Sequence, residues 1–454
     1  MNRKVLLGSL AGLAVLVVLA ALAVPFLVPT ATLRAEIERR VSQQTGRALR
    51  IGGALNFTLF PSLGLAAHTV TLANAPWGHA AALLRVDEMQ IAVKVLPLLH
   101  GRFEVDRIVL DKPAIALEVA RDGSANWKLI STERGSARIG PPPNTVLAGI
   151  VVQDGALSYD NDKLGVHRAI DALDANVSVT RLDAPAGAQG TFMFRGRRLA
   201  YTLTLKTVQS LFAGRRTQAD VALVSDLVTA GFSGQVTRDG TVDGAISLHT
   251  GSLKEVAAWL GHAISAGHGL GALDVKATIK AKDRSLSIGL DAARLDGMTA
   301  HGTLAADLAG AVPDVTGTLA FDRLDLNTYL GAPAGPPGPA APRAPGPAPM
   351  QSGWSRAPVN LNLLKLLDGR VTLSTDSLSV LHLKTGKTTI LATLAGGAMT
   401  AHLGPMQLYG GTGQADLAVD ARGSVPLVAN RLTFTGIAMA PFLADTIGVD
   451  KIDG

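Results

Sequence analysis

The histidines and carboxylates are the residues of this chain best suited to chemistry, and their spacing does not favour catalysis. Among ten histidines, His262 and His268 form the closest pair in a suggestive setting, but glycines rather than carboxylates flank them. Such a pair lacks the further ligands that a metal site needs. Asp106 and Asp111 are an odd number of residues apart on a predicted strand, so they face opposite ways and cannot act as paired carboxylates. We therefore expect no metal and no catalytic site.

Motifs for nucleotides and nucleophiles are also missing from the sequence. There is no P-loop, no H-E-x-x-H motif, no G-x-S-x-G motif and no EF-hand loop. The stretch "GGTGQAD" near Gly411 leads into a strand, which favours a hairpin turn over phosphate binding. The net charge of +6 is spread thinly, so nucleic acid is not an expected partner. We expect neither an enzyme nor a cofactor.

The tryptophans leave two interpretations open. Trp77, Trp127 and Trp259 each follow a turn or lie on a predicted helix. Packing of the ring over a turn or helix end is the favoured interpretation, and contact with a lipid–water interface is the alternative. Asn126, just before Trp127, is expected to bond the backbone of its turn.

The first thirty residues predict a membrane anchor. Arg3 and Lys4 precede an uncharged, mostly apolar run over residues 5–28. A helix of that length spans about 36 Å, enough to cross a hydrocarbon core of ~30 Å. The positive flank places the N-terminus in the cytoplasm and the remainder of the chain outside. Cleavage of a signal peptide after Ala23 is the alternative, although the run stays apolar beyond that position.

Period-two alternation dominates after a predicted helix that starts near Thr30 and ends at Gly46. Short turns between the alternating stretches predict antiparallel meanders rather than βαβ units. A single internal helix near 253–261 is expected from the Ser252–Glu255 capping box. The predicted fold is thus mainly β: a transmembrane helix, then a long curved antiparallel sheet or groove built from β-meander units, with few helices. The apolar residues that we expect to line this face are Leu273, Val275, Ala277, Ile279, Leu286, Ile288, Leu290, Leu417 and Val419.

Two linkers suggest the domain division. Residues 131–144 and the Pro/Ala/Gly-rich segment that begins at 331 are unable to bury a core. The predicted parts are a cytoplasmic N-terminus and anchor (1–29), a helix with a first β unit (30–130), a second β-rich region (145–330), a linker (331–358) and a C-terminal β unit (359–454).

Each of these strands has one apolar face that must be shielded from water, and the predicted helices are too few to shield it. The sheets can pack on one another, or they can curve around something apolar. Aromatic residues make up only 4% of the chain, so the strand faces consist mostly of Ala, Leu, Val and Gly. Small residues on a curved sheet favour a trough for acyl chains slightly over a dry sandwich.

Seven stretches along the chain form an ordered series of strand and turn motifs. They are "TGRALRIGG" (45–53), "FPSLGLAAHTVTLANAP" (60–76), "VLPLLHGRFEVDRIVLDKPAIALEVARDGSANW" (95–127), "VQDGALSYD" (152–160), "FDRLDLNTYL" (321–330), "LDGRVTLSTDSL" (367–378) and "LYGGTGQADLAVDA" (408–421). In their order and spacing they resemble the AsmA family of Gram-negative envelope proteins. "PFLADTIGVDKIDG" resembles a late family element that further strands normally follow, so a short member or a truncated fragment is expected.

The resemblance implies a single-pass inner-membrane protein with a periplasmic β-groove of the bridge-like lipid-transfer type. It implies membrane lipids as partners and a role in outer-membrane homeostasis, through phospholipid movement. An interaction protein that regulates outer-membrane protein assembly without binding lipid is the alternative, with envelope or outer-membrane assembly proteins as its partners.

Overall fold

The computed structural model describes residues 30–58, 63–94, 105–129, 147–262, 264, 269–329, 362–423 and 425–447. The predicted anchor over residues 5–28 lies outside this part of the chain and stays a prediction. No helix within the described ranges is long and apolar enough to cross a membrane.

Two compact units make up the chain, residues 1–225 and 226–454. Strands dominate both units, which confirms the mainly β fold class. The division that the sequence suggests at the two linkers is a different one and stays a prediction.

The first unit contains helices α1 (Thr30–Thr45) and α2 (Val208–Phe212). Its strands are β1 (Leu49–Ile51), β2 (Leu55–Thr58), β3 (Leu63–Ala73), β4 (Ala82–Val93), β5 (Val105–Asp111), β6 (Ala114–Val119), β7 (Leu147–Asn161), β8 (Val166–Val179), β9 (Ala186–Phe194), β10 (Arg197–Leu205) and β11 (Thr217–Val224).

Helix α1 covers the start of the first unit's sheet. It ends where Gly46 takes a φ of 67°, as expected from the sequence. Leu33 and Ile37, four residues apart on one helix face, pack against a buried cluster on β1–β4. The Glu38 carboxylate also accepts a hydrogen bond from the Ile51 backbone N–H at 2.7 Å. The apolar face of these first strands is therefore closed by the chain itself.

The second unit contains helices α3 (Leu253–Trp259) and α4 (Met439–Ile447). Its strands are β12 (Val228–Val236), β13 (Val242–Thr250), β14 (Leu273–Lys282), β15 (Ser285–Leu295), β16 (Met298–Asp307), β17 (Asp314–Phe321), β18 (Leu324–Asp325), β19 (Asp368–Thr375), β20 (Leu378–Val380), β21 (Leu383–Thr385), β22 (Thr388–Ala395), β23 (Ala398–Leu408), β24 (Gly411–Asp420) and β25 (Leu427–Thr435). Single 3₁₀ turns occupy Leu326–Thr328 and Asn362–Lys365.

Helix α3 begins as its capping residues predict. The Ser252 hydroxyl oxygen accepts a hydrogen bond from the Glu255 backbone N–H at 3.2 Å, and Gly261 has a φ of 91° just beyond the last turn.

The prediction of a purely antiparallel sheet is wrong, because parallel pairs occur in both units. Strands β5 and β6 pair in parallel with β7 in the first unit, and β17 pairs in parallel with β19 in the second. A parallel pair needs a connection of about a dozen residues or more, and these connections contain the two predicted linkers. The remaining pairs of β1–β17 and β19–β25 follow the predicted antiparallel meander where their register is described.

One end of the second unit has its own buried cluster. Met406, Leu408 and Ala415 form this cluster, and Phe434 packs against it. Phe442 of α4 contacts the Phe434 ring at 5.4 Å between centroids. Tyr409 donates a hydrogen bond from its hydroxyl to Asp445 Oδ2 at 2.8 Å, which ties α4 to the β23–β24 turn.

Candidate functional site

The nine residues predicted to line an apolar face lie on three strands of the second unit. Four are on β14, three on β15 and two on β24. Within the β14–β15 hairpin, Ala277 lies opposite Leu290 and Ile279 lies opposite Ile288. Opposed residues project to the same side of a sheet, so the seven residues of this hairpin share one face.

The strand register carries this face from β12 to β24. Directly opposed residues form three continuous rows across β12–β17, β19 and β22–β24, and no member has a polar side chain. The first row is Phe232, Ile246, Ala277, Leu290, Gly302, Leu319, Leu373, Ile390, Leu403 and Ala415. The second is Gly234, Gly244, Ile279, Ile288, Leu304, Gly317, Val371, Ala392, Ala401 and Leu417. The third is Val236, Val242, Ala281, Leu286, Ala306, Val315, Gly369, Leu394, Met399 and Val419.

We call these three rows the apolar face. Leu417 lies in the same row as Ile279 and Ile288, and Val419 lies in the same row as Leu286. The structure thus places seven of the nine predicted residues in the apolar face, with Leu273 and Val275 on the same side of β14 beyond the first row. It adds β12, β13, β16, β17, β19, β22 and β23, which the sequence-based set omits.

Most of the apolar face is half-buried, which is unusual for a core. Ala277 is 2% exposed and Val419 is 9% exposed, but the other seven predicted residues are only partly shielded. No residue of β14–β17 belongs to either buried cluster found among the described residues. On the opposite side of β14, Asp274, Lys276, Thr278 and Lys280 are exposed. The sheet here has one polar side and one apolar side that retains access to solvent.

Five glycines leave gaps in the rows of the apolar face, and Gly302 and Gly317 are two of them. Gly302 has a φ of 148°, and a Cβ there would lie 2.1 Å from the Thr318 carbonyl oxygen. A Cβ at Gly317 would lie 2.2 Å from the Thr303 carbonyl oxygen. Only glycine fits where neighbouring backbones approach so closely, and such positions allow a sheet to coil strongly.

The first unit carries a similar face that the sequence-based set also missed. Its rows run from β8 through β9 and β10 to β11: one contains Val177, Ala188, Leu203 and Val221, and the next contains Ala175, Gly190, Tyr201 and Leu223. Phe192 contacts the Tyr201 ring at 5.9 Å between centroids. The alternation through Ala175 and Val177 is visible in the sequence, but its partners on β9–β11 depend on register.

The titratable side chains form surface pairs. His167 Nδ1 lies 2.8 Å from Asp160 Oδ1, and His249 Nδ1 lies 2.6 Å from Asp274 Oδ1; all four side chains are exposed. Within the described residues no cluster of three potential metal ligands occurs. His262 is exposed, whereas His268 lies outside the described part of the chain. Exposed pairs of this kind are ordinary surface electrostatics rather than the geometry of a catalytic site.

A buried polar network fixes the "DGSANW" stretch. Asn126 is fully buried: its Oδ1 accepts from the Glu118 N–H at 2.9 Å, and its Nδ2 donates to Asn74 Oδ1 and the Ala116 carbonyl. The Glu118 carboxylate accepts from the backbone N–H groups of His79 and Ala80, each at 2.7 Å. We call Asn74, Glu118 and Asn126 the polar network. Asn126 does bond backbone groups, but these belong to strand β6 rather than to its turn.

The fold and its face define a class: a β-sheet protein whose long meandering sheet presents an extended apolar surface. The model of the AsmA family matches residues 1–180, and this match confirms the resemblance drawn from the sequence. Over this N-terminal part the chain is similar to the AsmA family. No curated protein and no solved structure shows significant similarity to the chain.

Proposed function

We propose that this protein holds the acyl chains of membrane lipids on its apolar face and contributes to phospholipid transport in a Gram-negative envelope, without catalysing a reaction. One observation carries the proposal: three in-register apolar rows cross β12–β24, and most of their side chains stay half-buried. The AsmA match supports a general role in the envelope and in lipid transport.

The physical basis is the transfer of hydrocarbon from water to this surface. Burying a CH₂ group contributes about 0.8 kcal/mol, so a chain of ~16 carbons gains on the order of 10 kcal/mol before ordering costs. The same side chains gain as well, because a bound acyl chain would remove their remaining exposure. The rows contain no polar side chain that would be left without a hydrogen-bond partner.

The proposed location follows from the N-terminal sequence. Residues 5–28 would anchor the protein in the inner membrane by a single span, with both β-rich units in the periplasm. The apolar face would then receive lipid from the membrane or from a protein partner.

The test compares two neighbouring positions on β14 that face opposite sides. A photoactivatable phenylalanine analogue replaces Ile279 on the apolar face or Thr278 on the polar face, and the cells are irradiated before purification. We expect a phospholipid adduct by mass spectrometry at 279 and none at 278. Equal labelling at both positions, or labelling of protein alone at 279, would contradict the proposal and favour an interaction protein of outer-membrane assembly.

A charge on the apolar face supplies a second test. Ile279→Asp should remove co-purifying phospholipid while the circular dichroism spectrum stays unchanged, because a carboxylate would have to be desolvated beneath the acyl chain. Thr278→Asp is the matched control and should keep its lipid. If Ile279→Asp unfolds the protein, Ile279 belongs to a core rather than to a lipid-binding face.

A further inference from the structure

Three loops of the first unit meet at one end of its sheet. They are residues 74–81 between β3 and β4, residues 120–129 after β6, and residues 162–165 between β7 and β8. We call these three loops the loop tip. Neither the apolar face nor the AsmA resemblance assigns a role to it.

The loop tip is held together by specific contacts. The polar network joins the first two loops through Asn74, Glu118 and Asn126. The third loop is attached to β6, since the Asp162 N–H donates to the Val119 carbonyl at 2.9 Å. His79 Nε2 lies 3.2 Å from Asp162 Oδ2, which connects the first loop to the third. The side chains displayed on these loops are therefore pre-positioned.

Large apolar side chains are exposed on this scaffold. Leu164 at the β7–β8 turn is 67% exposed, Trp127 is 42%, Leu129 is 41% and Trp77 is 38% exposed. Trp127 packs on one side against Tyr159, with ring centroids 6.3 Å apart. Four large apolar residues exposed on three joined loops mark an interaction surface.

Exposed cations accompany these apolar residues. Arg121, Lys128 and Lys163 are all exposed; Lys128 lies between Trp127 and Leu129, and Lys163 directly precedes Leu164. The nearby acids already have partners: Asp122 accepts from the Ser124 N–H at 2.8 Å, and Asp162 pairs with His79. The hydrogen bond from the Ser124 N–H holds the pKa of Asp122 below its usual range, so this carboxylate stays charged while it accepts that bond. With three cations against the two carboxylates of Asp122 and Asp162, the loop tip offers tryptophan, leucine and a net charge of +1 together.

We propose that the loop tip docks on the headgroup region of an anionic lipid bilayer. Tryptophan favours the membrane–water interface because its ring is apolar and its N–H is polar, and Leu164 would insert beside the Lys163 cation. Lysine and arginine near an anionic surface each contribute about fivefold in affinity, so the three cations together give on the order of 100-fold.

A bilayer fits these observations better than a protein partner does. Protein interfaces deplete lysine at their centre and place their anchors in fitted pockets. Here Lys163 is adjacent to the most exposed leucine of the loop tip, and Trp77, Trp127 and Leu164 are on turns. The proposal does not depend on lipid binding by the apolar face.

The test uses the absence of cysteine from the sequence. Leu164→Cys in the full chain is labelled with an environment-sensitive nitrobenzoxadiazole dye, and the protein is carried in phosphatidylcholine nanodiscs. Vesicles of phosphatidylcholine, with or without phosphatidylglycerol, are then added. We expect a blue shift and brighter emission with the anionic vesicles only. Leu381→Cys in the second unit, where the leucine is 61% exposed, is the labelled control and should not respond.

Neutralising the three cations and adding an unlabelled second copy of the protein make the test decisive. Replacing Arg121, Lys128 and Lys163 by Gln in the Leu164→Cys background should weaken vesicle binding on the order of 100-fold. No response to either vesicle, or an equal response to both, would overturn the proposal. A response to an unlabelled second copy of the protein without vesicles would assign the loop tip to self-association instead.

Discussion

Replacing Asn126 by Ala is expected to loosen the end of the first unit that carries the loop tip. The Asn126 side chain makes three hydrogen bonds in a fully buried position. Its loss leaves the Glu118 N–H and the Ala116 carbonyl without these partners, whereas Asn74 Oδ1 still accepts from the Ala75 N–H at 2.7 Å. Each buried group left unsatisfied costs about 1–3 kcal/mol, so we expect a destabilisation of about 3–4 kcal/mol.

Hydrogen exchange read by mass spectrometry measures this effect locally. Exchange in the segment 114–129 should accelerate roughly 10²–10³-fold, because each 1.4 kcal/mol corresponds to a factor of ten when exchange follows local opening. Asn176→Ala, at an exposed asparagine on β8, is the control and should change stability by no more than about 0.5 kcal/mol. An effect below about 1 kcal/mol for Asn126→Ala would refute the view that the polar network holds the loops together.

Two further predictions concern the second unit. Gly302→Ala should lower the free energy of unfolding by on the order of 2–4 kcal/mol in a thermal unfolding experiment, because its Cβ would lie 2.1 Å from the Thr318 carbonyl oxygen. Gly251→Ala is the control and should be nearly neutral, because no atom lies within 4 Å of its Cβ. Similar effects of the two substitutions would contradict the reasoning. The Arg422 guanidinium lowers the pKa of Asp420 to about 2, so this turn's ion pair contributes stability above the ordinary pKa near 3.8 and loses it as the pH falls through about 2. Arg422→Gln should return the carboxyl titration, followed by NMR, to the ordinary range, and an unchanged titration would show that another group lowers the pKa.

The strands and local turns were predictable because their causes are local. Period-two alternation identified the β14–β15 hairpin and the shared face of its apolar residues. The Ser252–Glu255 pair identified the start of α3. In each case the controlling contacts join residues close together in sequence.

Features that depend on distant partners were not predictable. The rows from β12 to β24 require the register of every intervening strand pair, which alternation in a single strand does not specify. The parallel pairs require knowledge of where the chain returns after each linker. The burial of Glu118 on β6 could not be predicted from the sequence, because its partners His79 and Ala80 lie on a distant loop.

Strands β17 and β19 pair directly in parallel, so the sheet is continuous at this point although a long stretch of chain separates the two strands in sequence. Eight residue pairs from Asp314–Asp368 to Phe321–Thr375 connect the strands on either side of the Pro/Ala/Gly-rich segment. The register of the two strands is therefore set by these eight pairs. A protein divided there into two separately expressed pieces would still have complementary strand edges through which to reassemble. The junction is therefore a natural place for an inserted domain.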